Sequence, residues 1–190
     1  MKVKVEVSAR HVHLCQKDIE SLFGPEYELK IKRFLSQPGQ FLSEEKVNIK
    51  INDKKIENIS VLGPARRETQ VEISLTDARK LKTDVPIRES GDIFDSPGCI
   101  LESSRGEIII KKGLIVAKRH IHVNSNDNAA KIFKNGEECN LKIETKDRSI
   151  IFCKTVIRIS DNFKFAAHID TDEANAAGIS GKTFGEIIKL

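Results

Sequence analysis

The sequence is poor in aromatic residues: its 190 residues include no tryptophan, one tyrosine and nine phenylalanines. Surfaces that stack nucleic-acid bases depend on aromatic side chains. The 32 Lys+Arg and 28 Asp+Glu residues give a net charge of +4 and are interleaved along the chain, with no basic tail. The composition therefore argues against a nucleic-acid partner and only weakly favours a small anionic ligand.

Long apolar runs are also missing. The most apolar segments, residues 107–110 and 114–117, are separated by Lys111 and Lys112. No stretch reaches the roughly 20 residues that a transmembrane helix requires. The N-terminus alternates charged and apolar residues and lacks the apolar centre of a signal peptide. The sequence predicts no membrane association.

The four cysteines are scattered and form no C-x-x-C pair. Their spacing matches no zinc-binding or disulfide framework, so we interpret them as reduced, mostly buried thiols of a cytoplasmic protein. The cysteines are Cys15, Cys99, Cys139 and Cys153.

With 39% hydrophobic residues, the chain can bury the core of one domain or of two small ones.

Strand patterns dominate the chain. Alternating apolar and polar residues predict strands that include residues 3–7, 47–51, 56–61, 108–110, 114–116, 141–144 and 150–159. Short helices are predicted at residues 16–23, 77–82, 126–133 and 172–177, the last three capped by Thr76, by Asn124 or Ser125, and by Thr171. Many strands and few short helices indicate a mostly β protein, built as a sandwich or a barrel.

Two short segments occur twice, in the same order. Ala9-Arg-His-Val-His-Leu14 returns 109 residues later as Lys118-Arg-His-Ile-His-Val123. Glu72-Ile-Ser-Leu-Thr-Asp-Ala78 returns 96 residues later as His168-Ile-Asp-Thr-Asp-Glu-Ala174. We interpret this repetition as two structurally related halves, each a barrel-like unit.

The repeated segments carry metal-ligand residue types. Histidines at positions i and i+2 of a strand project from the same face, and two adjacent imidazoles bind Zn²⁺ or a similar ion. A single H-x-H is more often two surface histidines on an exposed strand face, or one buried and one exposed histidine, but two copies favour metal binding. The predicted ligand sets are His11, His13 and Glu72 for one site, and His120, His122 and His168 for the other.

Arginines near the first set suggest an anion. Arg66 and Arg67 come shortly before Glu72, and the guanidinium fork suits phosphate or carboxylate. Taken alone, either one could equally be a solvated loop arginine. The loop around residues 88–98 is a weaker candidate, through its backbone N–H groups. Cys15 follows the first H-x-H segment and could act as a nucleophile or a ligand, but we expect it to have no role in the site.

Further motifs complete the pattern. They are Leu35-Ser-Gln-Pro-Gly-Gln40, Leu62-Gly-Pro-Ala-Arg-Arg-Glu-Thr-Gln-Val-Glu-Ile-Ser74, Arg88-Glu-Ser-Gly91, Ser96-Pro-Gly98 and the two repeated segments. Together they resemble the PduL-type phosphate propanoyltransferases, from about residue 7 to the C-terminus. The departures are small: Cys15 stands where the family often has Ser, and Val123 where it often has Met.

The resemblance implies a mostly β fold of two packed antiparallel β-barrels with short capping α-helices and related halves. It implies that residues 1–9 and 118–190 form one barrel and residues 10–117 the other, with a small inserted β-hairpin near residues 24–44. It also implies two zinc ions in the two ligand sets given above. Arg66 matches the phosphate-binding, catalytic arginine of the family, whereas no role follows for Arg10, Arg119 or Arg67.

The implied reaction interconverts acyl-CoA plus phosphate with acyl phosphate plus CoA, for a propanoyl or acetyl group. We expect a cytoplasmic protein, because the sequence shows no extension of the kind that targets family members to microcompartments. The resemblance also leads us to expect a homodimer. Two alternatives stay open at this point: a dizinc thioesterase or phosphoesterase, and a non-enzymatic zinc-binding module.

Overall fold

The computed structural model describes residues 1–190 and contains fifteen strands and three short α-helices. The prediction of a mostly β, barrel-like fold is confirmed. The chain divides into two compact units, residues 1–9 with 118–190 and residues 10–117. None of the helices has the length and hydrophobicity needed to cross a lipid bilayer.

The elements follow one another along the chain with short connections. In order they are β1 Lys2–Ser8, β2 His11–Cys15, α1 Gln16–Phe23, β3 Ile31–Phe34, β4 Phe41–Ile51, β5 Lys54–Arg66, β6 Gln70–Glu72, α2 Leu75–Leu81, β7 Ile87–Arg88, β8 Cys99–Glu102, β9 Glu107–Ile110, β10 Leu114–Ala117, β11 His120–Val123, a 3₁₀ turn Asn128–Lys131, β12 Glu138–Ile143, β13 Ile150–Ile159, β14 Ala166–Asp170, α3 Thr171–Ala176 and β15 Thr183–Lys189.

The unit of residues 1–9 and 118–190 is a closed six-stranded barrel in the order β1-β14-β11-β13-β12-β15. Closure leaves no strand edge unpaired. Alternate residues of each strand face inward, as the two-residue period of a strand requires. The buried core includes Val3, Ile121, Val123, Cys139, Leu141, Ile143, Ile157 and Ala167.

The unit of residues 10–117 is built on one nine-stranded sheet, in the order β7-β10-β6-β2-β5-β4-β8-β9 with β3 paired to β4. The long β4–β5 hairpin turns at Asn52, whose φ of 51° suits asparagine. Helix α1 covers the core with Ile19, Leu22 and Phe23, as its amphipathic pattern predicts. The core beneath includes Val12, Leu14, Ile49, Val61, Val71, Leu101 and Leu114.

Both sheets are mixed, where the resemblance implied antiparallel barrels. Strand β1 pairs with β14 in parallel, and β11 with β13. In the other unit, β2 pairs with β5 in parallel, while β6 and β7 pair in parallel with β10. Alternation of apolar and polar residues is the same for either direction, so the pattern carries no information on strand orientation.

Two helix caps differ from the prediction. Ser74, not Thr76, caps α2, because its Oγ accepts a hydrogen bond from the Asp77 N–H at 3.3 Å. Asp170 caps α3 and forms a capping box with Glu173, one residue before the predicted cap. An acidic N-cap with glutamate three positions later is the sequence signal for this motif.

The helix predicted at residues 126–133 is only a 3₁₀ turn, Asn128–Lys131, that follows Asp127. Asp127 Oδ2 accepts a hydrogen bond from the backbone N–H of Asn124, so the side chain closes a local turn before a helix can begin. Asparagine and aspartate favour such turns over helix interiors. Ala129 and Phe133 still fill the barrel core.

Candidate functional site

The first candidate cluster lies on β2 and β6. His11 and His13 are on the same face of β2, with ring centroids 4.9 Å apart, and Glu72 is the cross-strand partner of His11. His11 Nε2 lies 3.4 Å from Glu72 Oε2, and His13 Nε2 lies 4.0 Å from Glu72 Oε1. All three side chains are buried.

The second candidate cluster lies on β11 and β14 of the closed barrel. His120 and His122 have ring centroids 4.6 Å apart, and each is within about 5 Å of the His168 ring, at 5.1 and 4.7 Å. His168 is the cross-strand partner of His120. The Phe163 ring stacks on His122 at a centroid distance of 3.8 Å and covers that imidazole.

The three side chains have the same arrangement on two neighbouring strands in both clusters. In each, an antiparallel neighbour presents the third side chain directly opposite the first histidine of the H-x-H segment. Directly opposed residues have Cβ atoms about 4.5–5.5 Å apart, which suits two ligands of one ion. Within each cluster, the three potential ligand atoms lie within 4.8 Å of one another. The structure thus brings together both predicted sets.

Electrostatics in the first cluster favour an anionic carboxylate beside neutral imidazole. Burial by itself would raise the pKa of Glu72, but His11, His13 and the Ser90 hydroxyl hold that pKa well below its usual value. Burial, reinforced by His11 and Arg66, lowers the pKa of His13 well below 6.5. Deprotonated carboxylate and neutral imidazole are the forms that bind a metal.

The second cluster contains a nitrogen that suits a metal ligand. Burial, with the nearby His120 and His168, lowers the pKa of His122 to about 2, so the ring is neutral. The Nδ1 atom of His122 is buried and has no hydrogen-bond partner, which costs free energy in a protein interior. His120 Nδ1 lies 2.9 Å from the Lys118 carbonyl oxygen, so it donates there and leaves Nε2 as the electron-pair donor.

These observations fit a divalent ion of the zinc type in both clusters. Two histidines with glutamate, and three histidines, are donor sets that zinc uses in catalytic sites with one position left for substrate. A metal bound at Nδ1 would satisfy the buried His122 nitrogen, and one beside Glu72 would offset the desolvation of that carboxylate. The residues present therefore match the group that the sequence suggested.

Arg66 lies beside the first cluster. It ends β5, is half-buried, and shares the lining of a cavity of about 230 Å³ with His13. Counting about 30 Å³ per water molecule, the cavity has the volume of about eight waters and has room for a phosphate group. Arg67 is exposed and does not line the cavity. The remaining lining residues are Pro38, Gly39, Gln40, Gly63 and Pro64.

The Phe41 ring packs closely against the main chain at Gly63. A Cβ atom on Gly63 would lie 2.1 Å from this ring on the paired strand β4, so a larger residue there requires the ring to move. The turn predicted at Ser36-Gln-Pro-Gly39 is present, with the Gln40 N–H donating to the Gln37 carbonyl, and it supplies two of the lining residues.

Two residues that the sequence reasoning missed connect Arg66 to Glu72. The Ser90 hydroxyl donates to Glu72 Oε1 at 2.7 Å and accepts from Arg66 Nη1 at 3.1 Å. The Gln70 side-chain amide donates to the same Glu72 oxygen at 2.6 Å and to Ser90 Oγ at 3.0 Å. Gln70 stands two residues before Glu72 on one strand, so its position on the same face was a usable signal.

In the loop around residues 88–98, the Gly91 N–H donates to Gln70 Oε1 at 2.7 Å, so this N–H is not open to an anion. Ser96 Oγ accepts from the Gly113 N–H at 2.9 Å. The loop also contributes the Ser90 hydroxyl that contacts Glu72. Cys15 ends β2, and its backbone N–H donates to Thr69 Oγ1.

Fold and site together define a β protein with two three-residue clusters that could hold a metal ion, one of them adjoining an arginine suited to an oxyanion. The profile of one family, phosphate propanoyltransferase, matches residues 4–180. The chain belongs to this family and is therefore an acyltransferase.

Curated relatives agree with the family profile. The chain is 46% identical to a phosphate propanoyltransferase of Listeria monocytogenes over 98% of this chain and 87% of the relative. It is 46% identical to one of Thermotoga maritima over 91% of this chain and 82% of the relative. One of Alkaliphilus metalliredigens is 44% identical, over 100% and 89%.

Proposed function

We propose that this enzyme transfers an acyl group reversibly between CoA and phosphate, so that acyl-CoA and phosphate yield acyl phosphate and CoA. The observation that carries the proposal is the position of Arg66, whose side chain and that of His13 line one cavity. The printed names of the relatives, phosphate propanoyltransferase, support the same substrates.

Arg66 holds the phosphate in this proposal. A guanidinium presents N–H donors in a planar fork that matches two oxygens of one phosphate. The hydrogen bond from Nη1 to the Ser90 hydroxyl restricts the rotamers of the arginine. Ser90 also contacts Glu72, so the phosphate-binding group and the metal-ligand carboxylate are held by one hydroxyl.

His11, His13 and Glu72 would hold one zinc ion, and the cluster of three histidines a second. When bound, zinc supplies Lewis-acid stabilisation for negative charge that develops on a thioester oxygen or on a leaving thiolate. The support is the donor chemistry, the low pKa values of Glu72 and His122, and the unpartnered His122 nitrogen.

The transfer itself needs no protein nucleophile. A phosphate oxygen forms a bond to the thioester carbonyl carbon, the C–S bond breaks, and its electron pair leaves on the CoA sulfur. Phosphate is already anionic at neutral pH, so Arg66 contributes by orientation and proximity. We expect no acyl-enzyme: mass spectrometry of enzyme quenched during turnover should show an unmodified Cys15, and an acylated Cys15 would overturn direct attack.

One assay separates this function from its alternatives. Propanoyl-CoA or acetyl-CoA is supplied with and without phosphate, and both free thiol and acyl phosphate are followed. We expect equal amounts of thiol and acyl phosphate, and only when phosphate is present. Thiol release without phosphate would instead identify a thioesterase, and no release with either thioester would identify a zinc-binding module.

Three accompanying predictions concern the context of the enzyme. We infer a cytoplasmic location from the scattered free cysteines, no nucleic-acid partner from the scarcity of aromatic residues, and a homodimer from the family resemblance. Cell fractionation, an electrophoretic binding assay and sedimentation velocity test these predictions in turn.

A further inference from the structure

An arginine precedes each H-x-H segment, and each is paired with an acidic side chain of a helix. Arg10 Nη1 lies 2.5 Å from Asp77 Oδ1 in one unit, and Arg119 Nη1 lies 2.6 Å from Glu173 Oε1 in the other. In both units, the acid follows the third residue of the ligand cluster by five positions. The same ion pair therefore occurs twice, at equivalent places relative to the clusters.

In the unit of residues 10–117, the pair joins the start of β2 to the first turn of α2. Strand β6 has only three residues and ends at Glu72, so few ladder hydrogen bonds hold it against β2. The Asp77 side chain is 2% exposed and the Arg10 side chain 42%. Loss of the arginine would leave a buried carboxylate without this partner, which is unfavourable.

In the closed barrel, Arg119 contacts two elements, β13 and α3. Its Nε and Nη2 donate to the Cys153 carbonyl oxygen of β13 at 3.0 and 2.6 Å, and its guanidinium lies over the Phe152 ring. Its Nη1 donates to Glu173, whose other oxygen accepts from the Asp170 N–H in the capping box. The arginine thereby ties the end of β14 and the start of α3 to the strand next to β11.

We infer that Arg10 and Arg119 are positioning residues for the two metal clusters. Each pair ties the end of the strand that carries the third ligand to the strand that carries the H-x-H segment. Neither guanidinium takes part in its cluster, so the arginines act through the main chain and the helix start. The inference rests on the metal sites of the proposed function.

Ordinary surface ion pairs serve as the comparison. Lys55 and Glu102 lie 2.6 Å apart in one unit, and Lys142 and Glu144 lie 2.7 Å apart in the other. Neither pair includes a residue next to a ligand cluster in the sequence, and exposed pairs of this kind contribute little. They provide matched control variants, K55Q and K142Q.

The test measures Zn²⁺ affinity of metal-stripped, full-length protein by competition with a chromophoric chelator. Arg10→Gln is measured in a His120→Ala background, which isolates the first cluster, and Arg119→Gln in a His11→Ala background. Loss of a group that orients metal ligands typically weakens binding about 10- to 100-fold. We expect a loss of at least about tenfold at the adjoining cluster, with recovery in the corresponding Arg→Lys variants.

The controls decide between positioning and general stability. In single variants, Arg10→Gln should leave the affinity of the second cluster within about twofold of the unmodified value, and K55Q and K142Q should change neither. If Arg10→Gln does not fold by circular dichroism, Asp77→Asn replaces it and should weaken the same cluster. Equal losses at both clusters, or arginine variants that match the lysine controls, would overturn the inference.

The same titration separates this inference from the proposed function. If the unmodified protein binds no zinc, the metal sites fail and the inference fails with them. If the unmodified protein binds zinc at both clusters and the arginine variants retain full affinity, only the positioning role fails.

Discussion

Replacement of Arg66 by alanine tests the phosphate site most sharply. Arg66 and His13 line one cavity, and the Arg66 Nη1 atom contacts the Ser90 hydroxyl. The substitution removes the guanidinium without touching any of the six predicted metal ligands. We therefore expect lost phosphate use with the zinc content unchanged.

The magnitude follows from the number of hydrogen bonds lost. A hydrogen bond to a charged group contributes about 1.5–3 kcal/mol, so a two-bond fork on phosphate contributes about 3–6 kcal/mol, or a factor of about 10² to 10⁴ in rate. Because Arg66 is half-buried, solvent screens part of this interaction. We expect the lower end, about a 100-fold fall in kcat/KM for phosphate.

The assay follows acyl phosphate formation from propanoyl-CoA as the phosphate concentration is varied. Arg67→Ala is the matched control, because Arg67 is the exposed neighbour that does not line the cavity, and its kinetics should be close to those of the unmodified enzyme. Arg66→Lys keeps the charge but loses the fork and should be intermediate. A fall below about threefold in Arg66→Ala, or a matching loss in Arg67→Ala, would refute the assignment.

Three other predictions test the site and the core. Ser90→Ala should lower activity about 10- to 100-fold, because the hydroxyl orients Glu72. Ser90→Thr keeps a hydroxyl and should retain most of the activity. Full activity in the alanine variant would contradict a role for the hydrogen bonds that join Ser90 to Glu72. Leu141→Ala should cost about 2–5 kcal/mol in the free energy of unfolding, since Leu141 is fully buried; denaturant melts check this, and a cost below about 1 kcal/mol would contradict the assigned packing. Iodoacetamide at pH 8 should label exposed Cys153 in the native protein. Cys99 and Cys139 should react only after unfolding, because burial raises their pKa values to about 12 and 11. Peptide mapping that finds either buried thiol labelled first would contradict this prediction.

Local patterns predicted much of the fold. The bounds of α1 and the turn of the β4–β5 hairpin follow from amphipathic spacing and an Asn-Asp turn, although both strands extend beyond the predicted residues 47–51 and 56–61. The direction of the strands could not be predicted, because apolar and polar residues alternate in the same way in parallel and antiparallel strands. The caps of α2 and α3 were misplaced because Ser74 and Asp170 compete with nearby threonines, and the position where the preceding strand ends decides which residue caps the helix.

The ligand clusters were predictable for a different reason. The H-x-H spacing selects residues on one face of a strand, and the repetition selects the opposed third residue. Gln70 could have been found from its place two residues before Glu72 on the same strand, but Ser90, Asp77 and Glu173 could not, because they reach their partners from a loop or a helix distant in sequence. The sequence alone assigns no role to Arg10 or Arg119, although each recurs at the same place in the repeat.

Metal binding by both clusters is the central claim about this protein. Elemental analysis of the purified chain, unmodified and as His120→Ala, tests this claim directly. We predict two zinc ions per chain in the unmodified protein and one in the variant, because only the three-histidine cluster is disrupted. No bound zinc in the unmodified protein, or an unchanged content in the variant, would contradict the two-site assignment.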